Sequence, residues 1–263
     1  MKRLLDDARH PKLSDILENW ERSRNEVSLD EFSKLSDIPL IQSVISNFSK
    51  NKDLQFLKFD YIPLSRNIVA AQALRSVAKA LEAFDAATFC NDKAITSSAM
   101  LLSYNSTYFA AKSFCYLCGF SPIDRDSALT LDVFIESSQE NTNFAYKYGR
   151  WGHSEVWKLT KRLVETFKRD FEKERSFMRK ARLTSTPKLR NAYSYNDNLV
   201  SMFENLEFLN YPDFSQKKSP VEFTKNLNIS KALLSISISI MDEAGMSELL
   251  KTQASPRRLK LVA

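Results

Sequence analysis

Along four long stretches of this chain, apolar residues recur at steps of three and four, the period that places them on one face of a helix. From Pro63 onward, Leu74, Val77, Leu81 and Phe84 follow this spacing, embedded among eight alanines between Ala70 and Ala87. Proline suits a first helical turn, and alanine both favours the helix and lets a neighbour approach closely. Asn91 or Asp92 offers a stop and a new N-cap. A second helix is predicted from Lys93 to Cys118, with Leu101, Tyr104, Tyr108, Ala111, Cys115 and Cys118 as its seam and Gly119 as its C-terminal stop. A third is predicted from Ser154 to Ala181, burying Val156, Leu159, Leu163, Phe167, Phe171 and Met178, and a fourth from Ile229 to Lys251.

The flanking pattern is shorter in range. Leu13, Ile16, Leu17 and Trp20 share one face of a small helix. Further short helices are predicted near Asp30 and from Asp37 to Ser49, and Leu54 to Ile62 reads as an extended connector. A short helix is expected at Ser127 to Ser137, a loop around Gly149 and Gly152, and another short helix at Leu199 to Leu209. A polar loop with Pro212 and Pro220 follows, and a basic tail from Ser255 is expected to fray. The predicted class is all-α: a bundle of four long helices at 63–251, a small N-terminal helical extension at 1–62, and a basic tail at 252–263. The scarcity of glycine, four in 263 residues, points the same way, because sandwiches and barrels draw on glycine for their turns.

Composition narrows the chemistry. The three cysteines, Cys90, Cys115 and Cys118, make no disulfide framework. Cys115 and Cys118 have zinc-like spacing, but His10 and His153 supply no second pair and both cysteines fall on the buried seam, so structural thiols are expected. No glycine-rich phosphate loop, nucleophile elbow or His-Glu-x-x-His occurs, so neither a metal nor another cofactor is expected. Ala232 to Met241 is too short and too serine-rich to span a bilayer, and no signal-peptide core follows Met1; a cytoplasmic protein without a membrane partner is expected.

Charge changes the picture more. Between Lys158 and Arg190 lie twelve basic residues and four acids, a net +8 against +6 for the whole chain. The acids sit in the first half, where local ion pairs on a solvated helix face suffice as an explanation. From Arg175 to Arg190 there is none. Arg175, Arg179, Lys180, Arg182 and Lys188 therefore form a candidate phosphate-contacting surface. It leads into Arg190, Asn191, Tyr193 and Tyr195.

The segment Ser103 to Gly119, rich in tyrosine and alanine and closed by a glycine, resembles the second helix of HEPN domains, helical bundles of prokaryotic toxins, defence systems and RNA-processing enzymes. Their motif is an arginine, usually followed by a polar residue, with a histidine four to six residues later, after the third long helix. Arg190 and Asn191 occupy that place; Tyr195 stands where the histidine belongs. The resemblance would cover roughly residues 63 to 251. It implies metal-independent cleavage of RNA through the 2′-hydroxyl, with Arg190 on the phosphate and Asn191 orienting it, and a homodimer in which two motifs face each other. A tyrosine, with an ordinary pKa near 10, is a poor general base at neutral pH, though it can donate a hydrogen bond or stack on a base.

The expected function is RNA binding or metal-independent RNA cleavage in a defence or toxin-type system. The alternative is a catalytically silent helical subunit that binds protein or nucleic acid within a larger defence complex. A third reading of the focal residues is structural: Tyr193 and Tyr195 anchor the loop to the bundle and Arg190 pairs with an acid.

Overall fold

The computed structural model describes residues 13–22, 56–60, 63–93, 95–122, 129–132, 142–147, 153–167, 221–254 and 256–259. Helix dominates them. The elements are α1 (Leu13–Arg22), β1 (Phe56–Asp60), α2 (Pro63–Asp92), α3 (Thr96–Leu117), β2 (Phe120–Pro122), β3 (Leu129–Asp132), β4 (Thr142–Lys147), α4 (His153–Thr166), α5 (Val221–Glu243), α6 (Ser247–Gln253) and α7 (Pro256–Leu259). Among the described residues, no helix is long and apolar enough to cross a membrane.

The core is built around α3. Its seam residues Tyr104, Ala111, Cys115 and Cys118 are buried, but so are Ser103, Ser106, Thr107, Ala110, Ser113 and Phe114. A helix buried on nearly every side needs neighbours all round. One neighbour is α2, which lies antiparallel to it: Ser113 Oγ donates to the Ala73 carbonyl at 3.1 Å and Ser106 Oγ to the Ala80 carbonyl at 2.8 Å. Equal steps in opposite directions along the two helices fix the sense of packing. Alanine makes so close an approach possible, and Ala70, Ala73 and Ala80 are fully buried. Residues of α4 and α5 complete the enclosure through Val156, Leu159, Leu163, Leu233, Ile236 and Ile240.

From α1, Ile16 and Trp20 enter the same cluster, and the Trp20 indole donates to the Leu117 carbonyl at 2.9 Å. That bond satisfies one of the carbonyls a helix leaves without an intrahelical partner at its end. Gly119, at φ 82°, then turns the chain out of α3, with its N–H on the Tyr116 carbonyl at 2.8 Å. The residue predicted as the stop on composition has the left-handed backbone such a stop requires.

Several expectations are corrected. The short helix predicted over Ser127 to Ser137 gives way at 129–132 to β3, part of a small antiparallel sheet ordered β1-β4-β3-β2. Leu131 pairs with Ser121 on one side and Ala145 on the other. The segment read as an extended connector contains β1, which pairs with β4 from Phe56↔Tyr146 to Asp60↔Thr142. The predicted break at Asn91 or Asp92 is displaced, because α2 runs through Asp92 and α3 is capped by Ile95 without a side-chain hydrogen bond.

The fourth helix differs at both ends. Predicted over 229–251, it starts at Val221 and stops at Glu243. Gly245 takes φ 74°, its N–H reaches the Asp242 carbonyl at 3.0 Å, and the Met246 N–H reaches the Met241 carbonyl at 2.7 Å. These two bonds are those of a Schellman cap, completed by the buried pair Met241 and Met246. The stretch expected to fray from Ser255 instead contains α7, where Arg258 lies 3.5 Å from the Asp85 carboxylate and Leu259 packs against the core.

The Gly245 cap yields a test. A Cβ at a left-handed position clashes with the following carbonyl, so Gly245→Ala should lower unfolding free energy by about 1–2 kcal/mol in urea denaturation. An unchanged midpoint would show that the cap does not need glycine.

Candidate functional site

The residues singled out in the sequence, Arg190, Asn191 and Tyr195, together with Arg175, Arg179, Lys180, Arg182 and Lys188, lie outside the described residues. So do Tyr193 and the later part of the third predicted helix, including Phe171 and Met178. What the structure places is the bundle that leads up to them and the two chemically distinct faces of its central helix.

The inward face of α3 is a seam of hydroxyls, joined by one amide from α5. Each hydroxyl carries a single proton, so the bonds have a direction. Ser106 gives its proton to the Ala80 carbonyl and therefore accepts from Ser230 Oγ, 2.5 Å away on α5. Thr107 Oγ1 sits between the carbonyls of Ser103 and Asn226, at 2.8 and 2.9 Å. Ser103 donates to the Met100 carbonyl at 2.8 Å and accepts from Asn226 Nδ2 at 3.2 Å. Ser103, Ser106, Thr107, Asn226 and Ser230 are all buried and each has a partner. Their arrangement is structural: they lock α2, α3 and α5 in register.

The other face is aromatic and basic. Lys112 lies between two rings one turn away on either side, with Nζ 5.8 Å from the Tyr108 centroid and 5.6 Å from that of Tyr116. From α2, Lys79 Nζ stands 5.5 Å from the ring of Phe109. Tyr108, Phe109 and Lys112 are half-buried and Lys79 is exposed, while Tyr116 is nearly enclosed. Trp157 of α4 packs on this cluster, 6.3 Å from Tyr104 and 6.4 Å from Tyr108 between ring centroids. Burial first, and then the neighbouring Lys79 ammonium, hold Lys112 below the ordinary lysine value. The same burial raises the Tyr116 phenol above its usual range.

Cys115 sits beneath this face, fully enclosed, with its sulfur 3.4 Å from Thr160 Oγ1. Thr160 already donates to the Val156 carbonyl at 2.8 Å, so the thiol is the donor of the pair. Desolvation pushes the thiol up from 9.0 to about 12, which leaves it protonated and inert at neutral pH. Cys118 is likewise a buried thiol outside any disulfide. Both are the structural thiols expected of the seam.

Apolar spacing alone places Tyr104 and Tyr108 in the packing seam and gives Lys79 and Lys112 no role. A signal was present: aromatic, lysine, aromatic at positions 108, 112 and 116 stack on one helix face by spacing alone. Of the basic segment, Lys158, Lys161 and Arg162 are described on α4; both lysines are exposed and Arg162 is half-buried.

Comparison with known proteins gives no match of any kind: no family profile, no curated protein and no solved structure aligns with the chain.

The Cys115 environment predicts an alkaline signature. A folded-state pKa above the unfolded one contributes stability that is whole below pH 9.0 and is lost as pH rises through about 12. Tyr116 acts in the same sense at higher pH, whereas Lys112, being depressed, contributes in the opposite sense. Comparison with Cys115→Ala isolates the thiol. The stability advantage of the wild type should shrink above pH 9 by about 1.4 kcal/mol per pH unit in urea titrations. A difference that stays constant to pH 11 would contradict the assignment.

Proposed function

We propose that this chain is a HEPN-like bundle that binds single-stranded RNA through the segment from Arg175 to Arg190, and that Arg190 is its principal phosphate contact. The observation that carries this reading is the acid-free run of six cations ending at Arg190-Asn191, in a chain whose remaining residues are neutral in sum. Cations in such density raise affinity for polyanions, and arginine presents a planar fork suited to phosphate. A predominantly helical fold with the tyrosine- and alanine-rich helix at its centre, closed by Gly119, is consistent with the resemblance.

Cleavage is a narrower claim. It would use the RNA 2′-hydroxyl as nucleophile, with Arg190 and Asn191 holding the phosphate and Tyr195 in the position of the family's histidine. A phenol near its ordinary pKa takes a proton poorly at pH 7, which favours binding over cutting. The second reading, a silent subunit of a defence or toxin-type complex that acts through partners, rests on that one substitution. In either case a homodimer would bring two Arg190 side chains to one cleft, an arrangement that requires an anion between them.

Arg190→Ala should weaken binding of a short single-stranded RNA and lower its salt slope by about 0.7, one phosphate contact on a single strand. The melting temperature should not move. Tyr195→Phe should be silent in a binding subunit and impair turnover in a nuclease. If Arg190→Ala loses thermal stability while the folded fraction binds RNA like the wild type, Arg190 is a structural residue and this reading fails.

A further inference from the structure

The lysines of the aromatic face share a feature: among the described residues, neither pairs with a carboxylate. Burial and the Lys79 ammonium both act against the Lys112 charge, and the neighbouring Cys115 thiol is neutral at pH 7. A half-buried cation normally finds an anion, because leaving water without one is costly. Among the described residues, the Lys112 charge is held by the π-faces of Tyr108 and Tyr116. A second donor beside this cluster also lacks an acceptor. The buried indole N–H of Trp157, on the ring that packs against Tyr108, makes no hydrogen bond among the described residues. Arg162 Nη1, further along α4, is in the same condition.

Two ammonium groups without acids, set against half-buried aromatic rings, match the two parts of a nucleotide. Phosphate oxygens meet the cations, and the base has a ring face on which to stack. An acidic polypeptide would satisfy the charges but would bring no planar group to stack on Phe109.

We propose that Lys79, Tyr108, Phe109 and Lys112 form a subsite for one or two nucleotides of single-stranded RNA, in addition to the contact proposed for Arg190. A phosphate would lie between Lys79 and Lys112, with a base against Phe109. The subsite rests on the RNA-binding reading and deepens it. A strand held on α2 and α3 would be positioned by residues other than those proposed for its chemistry, as stacking platforms do in proteins that bind single strands without sequence preference.

The test is anisotropy of a labelled oligouridylate titrated against salt, with melting temperature as the folding control. Lys79→Gln with Lys112→Gln keeps most of both stems while removing both charges. It should lower the salt slope by about 1.4, two phosphate contacts on a single strand. Lys79→Gln alone, at the exposed end of the pair, should lower it by about 0.7 and serves if the double variant fails to fold. Phe109→Leu should weaken affinity about tenfold with the slope unchanged.

If wild type binds, Arg190→Ala weakens binding, and both lysine variants retain the wild-type slope, the subsite is wrong and the RNA reading stands. If the lysine variants shift the slope while Arg190→Ala has no effect, the subsite stands and the Arg190 assignment falls. A wild type that does not bind oligouridylate overturns both.

Discussion

The fold depends on a directed chain of hydrogen bonds inside a helical interface. Ser230 donates to Ser106, and Ser106 donates to the carbonyl of Ala80, so one line of protons crosses from α5 through α3 to α2. Alanine packing alone would bring these helices together but would tolerate sliding, since one alanine fits much like the next. A buried hydroxyl allows no such slip, because each shift strands a donor or an acceptor away from water. Asn226, threaded between Ser103 and Thr107, adds a second constraint one turn further along. Register is thus set by polar groups in a core whose cohesion is apolar.

That register determines what α3 shows on its other side. With Ser106 and Ser113 fixed against α2, Lys79 is carried to the level of Phe109, and Lys112 is left between Tyr108 and Tyr116. The two lysines approach closely enough to repel each other because the backbones beneath them are held so near. The same small residues that permit a tight core therefore concentrate positive charge on an aromatic surface. Core packing and the proposed binding chemistry are two consequences of one helix pair.

How much of this was legible from sequence depends on what each residue had to do. The long helices α2 and α3 were, because apolar spacing over twenty or more residues has no competing interpretation. The start of α5 was not: Asn226 is a core residue, but an amide breaks the apolar count and reads as loop. Its end was hidden for the opposite reason, since Gly245 interrupts an otherwise continuous pattern and only the left-handed backbone reveals it as a stop. Leu129-Thr130-Leu131-Asp132 is too short for period two and period three-and-a-half to be told apart. On the functional side, the concentration of charge before Arg190 was visible, and that segment lies outside the described residues. The aromatic–lysine face was missed because tyrosine counts as apolar in a periodicity analysis, which then has no reason to ask what its neighbours do.

The seam carries the whole account, and a double-mutant cycle on Ser106 and Ser230 tests it most directly. Each serine alone becoming alanine strips a buried hydroxyl of its partner, whereas both together remove the pair. The account predicts a coupling of about 1 kcal/mol in urea unfolding, with the double variant less destabilised than the two single effects combined. Single effects that add within about 0.3 kcal/mol would mean that the two hydroxyls stabilise independently and that the register of α3 is set by apolar packing alone.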